Sequence, residues 1–293
     1  GAEKFAEQVS EAISALVNVA HRYEGEVAKI AGDCLICTFE ILPQDNDDGG
    51  QAAYERGKKC ALEMLNTIKS TNELVLTSNN GINLFNTKTN IFKKQIGLED
   101  NQLQTRSNDG ASDALGRLWF GTMQNNFDIN GNSIPITRNM GKLYKVDINK
   151  QVTVMEDDLG IPNTFVWSPD NSKFYFTDTL TGTIKSYDFN LQTGTLTNKQ
   201  NFINIDRGLP DGSTIDTDGC LWNCRWGGSC IVRFTPNGKI DQFIEMPVQN
   251  VTNCVFGGSD MKTLFITTAS NEDDGRTDMD GDLFAINLQY QGI

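Results

Sequence analysis

The feature that most constrains this chain is a repeated pair of short apolar and aromatic runs separated by turn residues. First runs lie at Leu74–Thr77, Leu118–Gly121, Phe174–Thr177, Leu221–Cys224 and Leu264–Thr267. Second runs follow at Ile82–Phe85, Leu143–Val146, Ile184–Tyr187, Ile231–Phe234 and Leu283–Ile286. Turn signals such as Asn79-Asn80-Gly81, Asp218-Gly219, Pro236-Asn237-Gly238 and Asp280-Gly281 separate them, so each run reads as a strand. Unit starts fall roughly 45 to 55 residues apart, the spacing of four-stranded propeller blades. Five such units are read between Asn72 and Ile293.

With 293 residues and 38% apolar content, the chain can bury one large core or slightly more. A net charge of −13 argues against nucleic acid or an anionic membrane as partner. No apolar run approaches the ~20 residues of a membrane span, and the N-terminus lacks the charged start and apolar core of a secretion signal. The seven cysteines follow no zinc pattern, and Cys34-Leu35-Ile36-Cys37 reads as a buried strand. Free thiols then point to a reducing, cytoplasmic compartment.

Three stretches carry oxygen-bearing side chains at comparable places in successive units. They are Arg106-Ser107-Asn108-Asp109-Gly110, Ile161-Pro162-Asn163, and Gly208-Leu209-Pro210-Asp211-Gly212. Proline and glycine predict stiff turns just before strands, with Asp211 held on the third. The order and content of these motifs over residues 72 to 293 resemble the SMP-30/gluconolactonase/luciferin-regenerating family. That resemblance implies a six-bladed β-propeller in which such loops meet at one mouth of the channel and hold a divalent metal.

The resemblance further implies that Asn163 and Asp211 are metal ligands, that Asp211 is also the acid and base, and that Arg106 and Asn108 bind substrate. An amide oxygen and a carboxylate are hard donors suited to Ca²⁺, Mg²⁺, Mn²⁺ or Zn²⁺. The implied chemistry is hydrolysis of a small-molecule lactone. The family's third protein ligand, a glutamate of the first blade, has no counterpart before Asn72, and the first blade itself is not read. The resemblance therefore also leaves open a non-catalytic propeller that binds a metal or ligand, and a gap in the ring where a partner or a second copy would fit.

Residues 1 to 70 follow a different pattern. Apolar spacing predicts a helix from Glu3 to Tyr23, followed by two strands around Ala31-Gly32-Asp33, an acidic loop from Asp45 to Gly50, and a helix from Ala52 to Lys69. This order resembles a piece of a class III adenylyl or guanylyl cyclase domain, with Asp33 in the place of a metal aspartate. One carboxylate does not hold a triphosphate-bound metal, so Asp33 reads as a turn residue in a fragment without cyclase activity. His21 reads as a surface residue, the four tryptophans as blade core or rim, and the acidic stretch from Glu272 to Asp282 as a solvated hairpin tip.

Overall fold

The computed structural model describes residues 25–31, 34–39, 73–78, 81–86, 89, 91–99, 104–126, 134–258, 260–269 and 277–293. Residues 1–100 and 101–293 form two compact units, each described by itself. Both expected helices, His21, Asp33, the 45–50 loop and residues 272–275 lie outside the described residues.

In the first unit, β1 (Gly25–Ala31) and β2 (Cys34–Phe39) form an antiparallel hairpin with Ala31 paired to Cys34, the two strands expected there. A three-stranded meander follows, β3 (Glu73–Ser78), β4 (Gly81–Asn86) and β5 (Ile91–Gly97). Among the described residues the chain is β throughout apart from a single 3-10 turn, Thr179–Thr181, so the α/β character expected of residues 1–70 is seen only as its β part. No helix among them is long and apolar enough to cross a membrane.

The second unit holds four successive sheets. The first is β6 (Thr105–Ser112), β7 (Leu118–Gln124), β8 (Gly141–Val146) and β9 (Val152–Leu159). The second is β10 (Pro162–Trp167), β11 (Lys173–Asp178), β12 (Thr183–Asn190) and β13 (Thr195–Asn204). The third is β14 (Leu209–Ile215), β15 (Leu221–Trp226), β16 (Cys230–Phe234) and β17 (Ile240–Glu245). The fourth is β18 (Val251–Gly257), β19 (Thr263–Thr268) and β20 (Leu283–Asn287). Each is a simple antiparallel meander, and β6, β10, β14 and β18 abut one another in that order, so the first strand of every sheet lies innermost. This is a propeller-like arrangement with four blades. The fifth repeat read from the sequence is the separate meander β3–β5, and the six-bladed ring that the resemblance implies is not seen.

Blades pack face to face, and strand alternation explains why the middle strands are apolar on both sides. Phe174 and Phe176 of β11 enter a cluster with Trp119, Leu143 and Phe165, whereas Tyr175 between them enters another with Ile215, Leu221 and Val232. On β15, Trp222 and Cys224 face Val251, Phe256 and Leu264 of the fourth blade. Each fully buried aromatic of this kind contributes roughly 1.5 to 3 kcal/mol.

Two corners repeat one device. Asp113 accepts from Trp119 Nε1 at 2.8 Å and Asp216 accepts from Trp222 Nε1 at 2.9 Å. In each case the carboxylate also caps backbone N–H groups of its own turn, from Leu115 and Arg117 to Asp113 and from Asp218 and Cys220 to Asp216. Trp119 and Trp222 are thus core residues as expected, while Trp226 is 40% exposed at the rim. Cys220, Cys224, Cys230 and Cys254 are buried free thiols.

Candidate functional site

The three stretches expected to be loops and turns are instead the bulged starts of innermost strands. On β6, Asn108 and Asp109 together face the single residue Gly121; on β10, Thr164 and Phe165 face Phe176; on β14, Asp211 and Gly212 face Cys224. A bulge bends its strand and re-aims side chains, so glycine, proline and amides appear where a regular strand would carry branched residues. Because the bulges recur near the start of each innermost strand, the residues they carry gather at one end of the blades. Asn108 and Asp211 are the first bulged residues of their strands. Asn163 is one step different, the last paired residue before its bulge.

Close packing fixes the bulges. A Cβ on Gly212 would lie 2.3 Å from Asn253 Cγ, and one on Gly121 would lie 2.2 Å from Pro162 Cβ. Thr164 takes a φ of 61°, costly for a β-branched residue. Its hydroxyl donates to the Asp211 carbonyl at 2.6 Å and lies 2.9 Å from Ser213 Oγ, which ties the second blade's bulge to the third's.

A hydrogen-bond chain crosses three blades. Arg106 donates from Nε to Asn126 Oδ1 at 2.8 Å and from Nη1 to Asn108 Oδ1 at 3.3 Å. Asn108 Nδ2 donates to Asn163 Oδ1 at 3.2 Å and to the Pro162 carbonyl at 3.0 Å. Asn163 Nδ2 donates to Thr179 Oγ1 at 2.9 Å, and Thr179 donates to the Pro210 carbonyl at 2.7 Å, one residue before Asp211. Behind Asp211, Asn223 Nδ2 holds its carbonyl at 3.1 Å, and Arg225 donates to Asn223 Oδ1 at 3.0 Å. Burial lowers the Arg225 guanidinium to about 10, and it lowers that of Arg106 as well.

Thus Arg106, Asn108, Asn163 and Asp211 are connected through side-chain and backbone groups. Burial pushes the Asp211 carboxyl up to about 7, the neighbouring charge of Asp109 adds to the rise, and the Gly212 N–H opposes it. Asp109 also accepts from the Gly110 N–H at 2.8 Å, and its charge reaches Asp211 from the bulge of β6, two blades away. Thr164, Thr179 and Asn223 were not visible as site residues, since a threonine or asparagine in a strand carries no signal of the partner it will meet.

Among the described residues no three His, Cys, Asp or Glu side chains group to hold a metal. The donors here are mixed: the Asn163 amide oxygen and the carboxylates of Asp211 and Asp109. They fit a hard divalent cation, because two mutually repelling carboxylates, one largely desolvated, are what such a charge would relieve.

The fold is a propeller-like array of blades with hard oxygen donors, Asn163, Asp211 and Asp109, at one end of its innermost strands. Residues 37–270 match the SMP-30/Gluconolactonase/LRE-like region, and the chain belongs to that family. The match begins upstream of residue 72, inside the stretch that resembles a cyclase fragment. Pentonolactonase XacC of Haloferax volcanii is 33% identical over 198 residues, covering 64% of this chain and 64% of that protein. The chain thus spans somewhat less than two thirds of that relative. A luciferin-regenerating enzyme structure superposes with a TM-score of 0.67 at 26% identity, covering 76% of each chain. A calcium-binding regucalcin of Agrobacterium tumefaciens superposes with a TM-score of 0.65 at 28% identity, covering 76% of this chain and 74% of that one.

Proposed function

We propose that this chain is a metal-dependent hydrolase of sugar lactones, with Asn163 and Asp211 as protein ligands to a divalent ion and Asp211 as acid and base. The observation that carries this reading is geometric: Thr179 ties the Asn163 amide to the bulge that bears the buried Asp211 carboxyl. A positioned carboxylate can take a proton and then return it. Support also comes from the pentonolactonase relative, and for the ion from the calcium-binding regucalcin.

When bound, the ion would supply Lewis-acid polarisation of the lactone carbonyl. Asp211 takes a proton from the attacking water as its oxygen joins the carbonyl carbon. The ring C–O bond then breaks, and Asp211 returns the proton to the leaving oxygen. Asn108 and Arg106 orient the hydroxyls of the ring, and Arg106 also holds Asn108 in place. The propeller of the second unit is of the six-bladed type, residues 1–70 are a cyclase-like fragment without cyclase activity, and the protein works in the cytoplasm.

Acid release on adding pentono- and gluconolactones, followed with a chelator and after restoring Ca²⁺, Mg²⁺, Mn²⁺ or Zn²⁺, tests this reading. Metal-dependent acid release is expected. Metal binding without turnover would favour a non-catalytic binding propeller, the reading suggested by having only two of the family's three protein ligands.

A further inference from the structure

Among the described residues, Leu209 and Trp226 are the one pair of exposed large apolar side chains that are strand partners, at 37% and 40% exposure. Single exposed apolar residues are ordinary on a protein surface, whereas an apolar pair beside a polar site marks a contact for a ligand. Strand alternation puts this pair on the face of Asp211. On β15, Trp222 and Cys224 turn toward the fourth blade, so Trp226 points to the same side, and its register partner Leu209 shares that side. Asp211 stands opposite Cys224 in the bulge of β14. Burial and the neighbouring Cys254 raise the Cys224 thiol and the Asp211 charge adds to the rise, as a carboxyl on this face would. Leu209 lies two residues before Asp211, roughly 7 Å away at about 3.3 Å per residue.

The pair is fixed in place by its surroundings. Arg225, 1% exposed, donates to the Arg207 carbonyl at 3.0 Å and to the Gly208 carbonyl at 2.6 Å, the two residues that lead into Leu209. Arg207 Nε donates to the Gly228 carbonyl at 3.1 Å, and a Cβ on Gly208 would lie 2.6 Å from Gly228 Cα. The chain before Leu209 and the turn after Trp226 are thereby locked together. A Cβ on Gly227, next to Trp226, would meet nothing within 4 Å, so open space adjoins the pair.

We propose that Leu209 and Trp226 form an apolar wall at the entrance to Asp211, and that the substrate is a sugar lactone whose ring carries an alkyl group in place of a hydroxymethyl, laid against this wall. The proposal rests on the lactone hydrolysis inferred above and narrows its substrate class. Leu209 offers no polar atom and the Trp226 indole only one N–H, so an alkyl group gains there what a hydroxyl would lose in hydration. Ring hydroxyls fall to Arg106 and Asn108 on the first blade. A charged tail finds no free cation beside the wall, because Arg207 is paired with Glu245.

The test compares L-rhamnonolactone with L-mannonolactone, which differ only in a methyl against a hydroxymethyl group, on the full metal-loaded chain. The methyl-bearing lactone is expected to be preferred about 3- to 10-fold in kcat/KM, less than a closed pocket gives because the wall is open on one side. Trp226→Gln and Leu209→Asn, at exposed positions, should each bring the ratio toward one, with thermal melts as the folding control. Trp226→Phe, which keeps an aromatic face, should retain most of the preference. Equal kcat/KM for the two lactones, or a preference that survives in both polar variants, would overturn the proposal. If neither lactone is hydrolysed, the lactonase reading fails by itself, and calorimetric titration with the same two compounds decides the wall: tighter binding of L-rhamnonolactone that Trp226→Gln removes supports it, and equal binding overturns it.

Discussion

Asn108 donates its amide nitrogen to the amide oxygen of Asn163 at 3.2 Å, across the boundary between two blades. Asn163 in turn gives its own nitrogen to Thr179, so its amide cannot flip without losing both bonds. The oxygen retains a second lone pair, which is what a metal ligand requires. Asn108 is thereby a positioning group for Asn163 as well as a candidate contact for substrate.

Asp211→Asn is expected to abolish lactone hydrolysis while leaving the bulge intact. The amide has nearly the same volume, and the backbone bonds from Thr164 and Asn223 to the Asp211 carbonyl are untouched. Loss of a general base costs about 10² to 10⁴ in rate, and the lost ligand charge weakens the metal as well. Initial-rate assays with the thermal transition as a folding control check it; a variant within a few-fold of the parent sinks the assignment.

The same carboxyl predicts how the metal-free protein responds to pH. In the fold its proton is held up to about 7, against an ordinary 3.8. Between those values the folded state binds more protons than the unfolded state, so the stabilisation is complete below about 4 and is lost as pH rises through 7. A divalent ion should reverse the loss, since it favours the charged form. Melting temperatures across pH in chelator should therefore fall more steeply for the parent than for Asp211→Asn. Parallel curves would show that Asp211 titrates normally.

The middle strands of the blades were legible because both their faces are buried. Runs such as Phe174–Thr177 and Leu221–Cys224 became β11 and β15 because alternate residues enter two different interblade clusters. The outer strands were not read. Strands β13 and β17 expose most of their residues and so have little apolar pattern. The innermost strands were read as loops because their bulges carry Gly, Pro, Asn and Asp, the residues that also build turns. The candidate site residues rest on motif and family resemblance, whereas Thr179 and Asp109 depend on which blade lies beside which, a relationship that no local spacing encodes.

Removing Asp216 should destabilise the fold without touching Asn163 or Asp211. Its carboxylate is buried and accepts from Trp222 Nε1, from the Asp218 and Cys220 N–H groups, and from Arg233 Nε at 2.8 Å. Asp216→Ala leaves several buried donors unpaired, at an expected cost of about 3 kcal/mol, the lower end of the range because Asp218 and Asp241 still face Arg233. Asp218→Ala, whose side chain is 68% exposed, should cost under about 1 kcal/mol. Urea denaturation of both variants makes the comparison, and equal losses would contradict the burial argument.

Asn163→Ala and Thr179→Val separate ligation from positioning. Asn163→Ala removes the amide oxygen from the metal, so activity should fall at low metal and return in part when the ion is in excess. Thr179→Val keeps Asn163 and the side-chain volume but breaks the link from Asn163 Nδ2 to the Pro210 carbonyl. Two buried polar groups then lose their partner, at about 1 to 3 kcal/mol of stability. The amide oxygen is still present, so metal affinity should fall less than in Asn163→Ala, and Thr179→Ser, which restores the hydroxyl, should recover both stability and affinity. Calorimetric metal titration alongside thermal melts distinguishes the two effects. If Thr179→Val melts lower yet binds metal as tightly as the parent, Thr179 stabilises the blades without orienting Asn163; if Asn163→Ala binds metal unchanged, Asn163 is not a ligand.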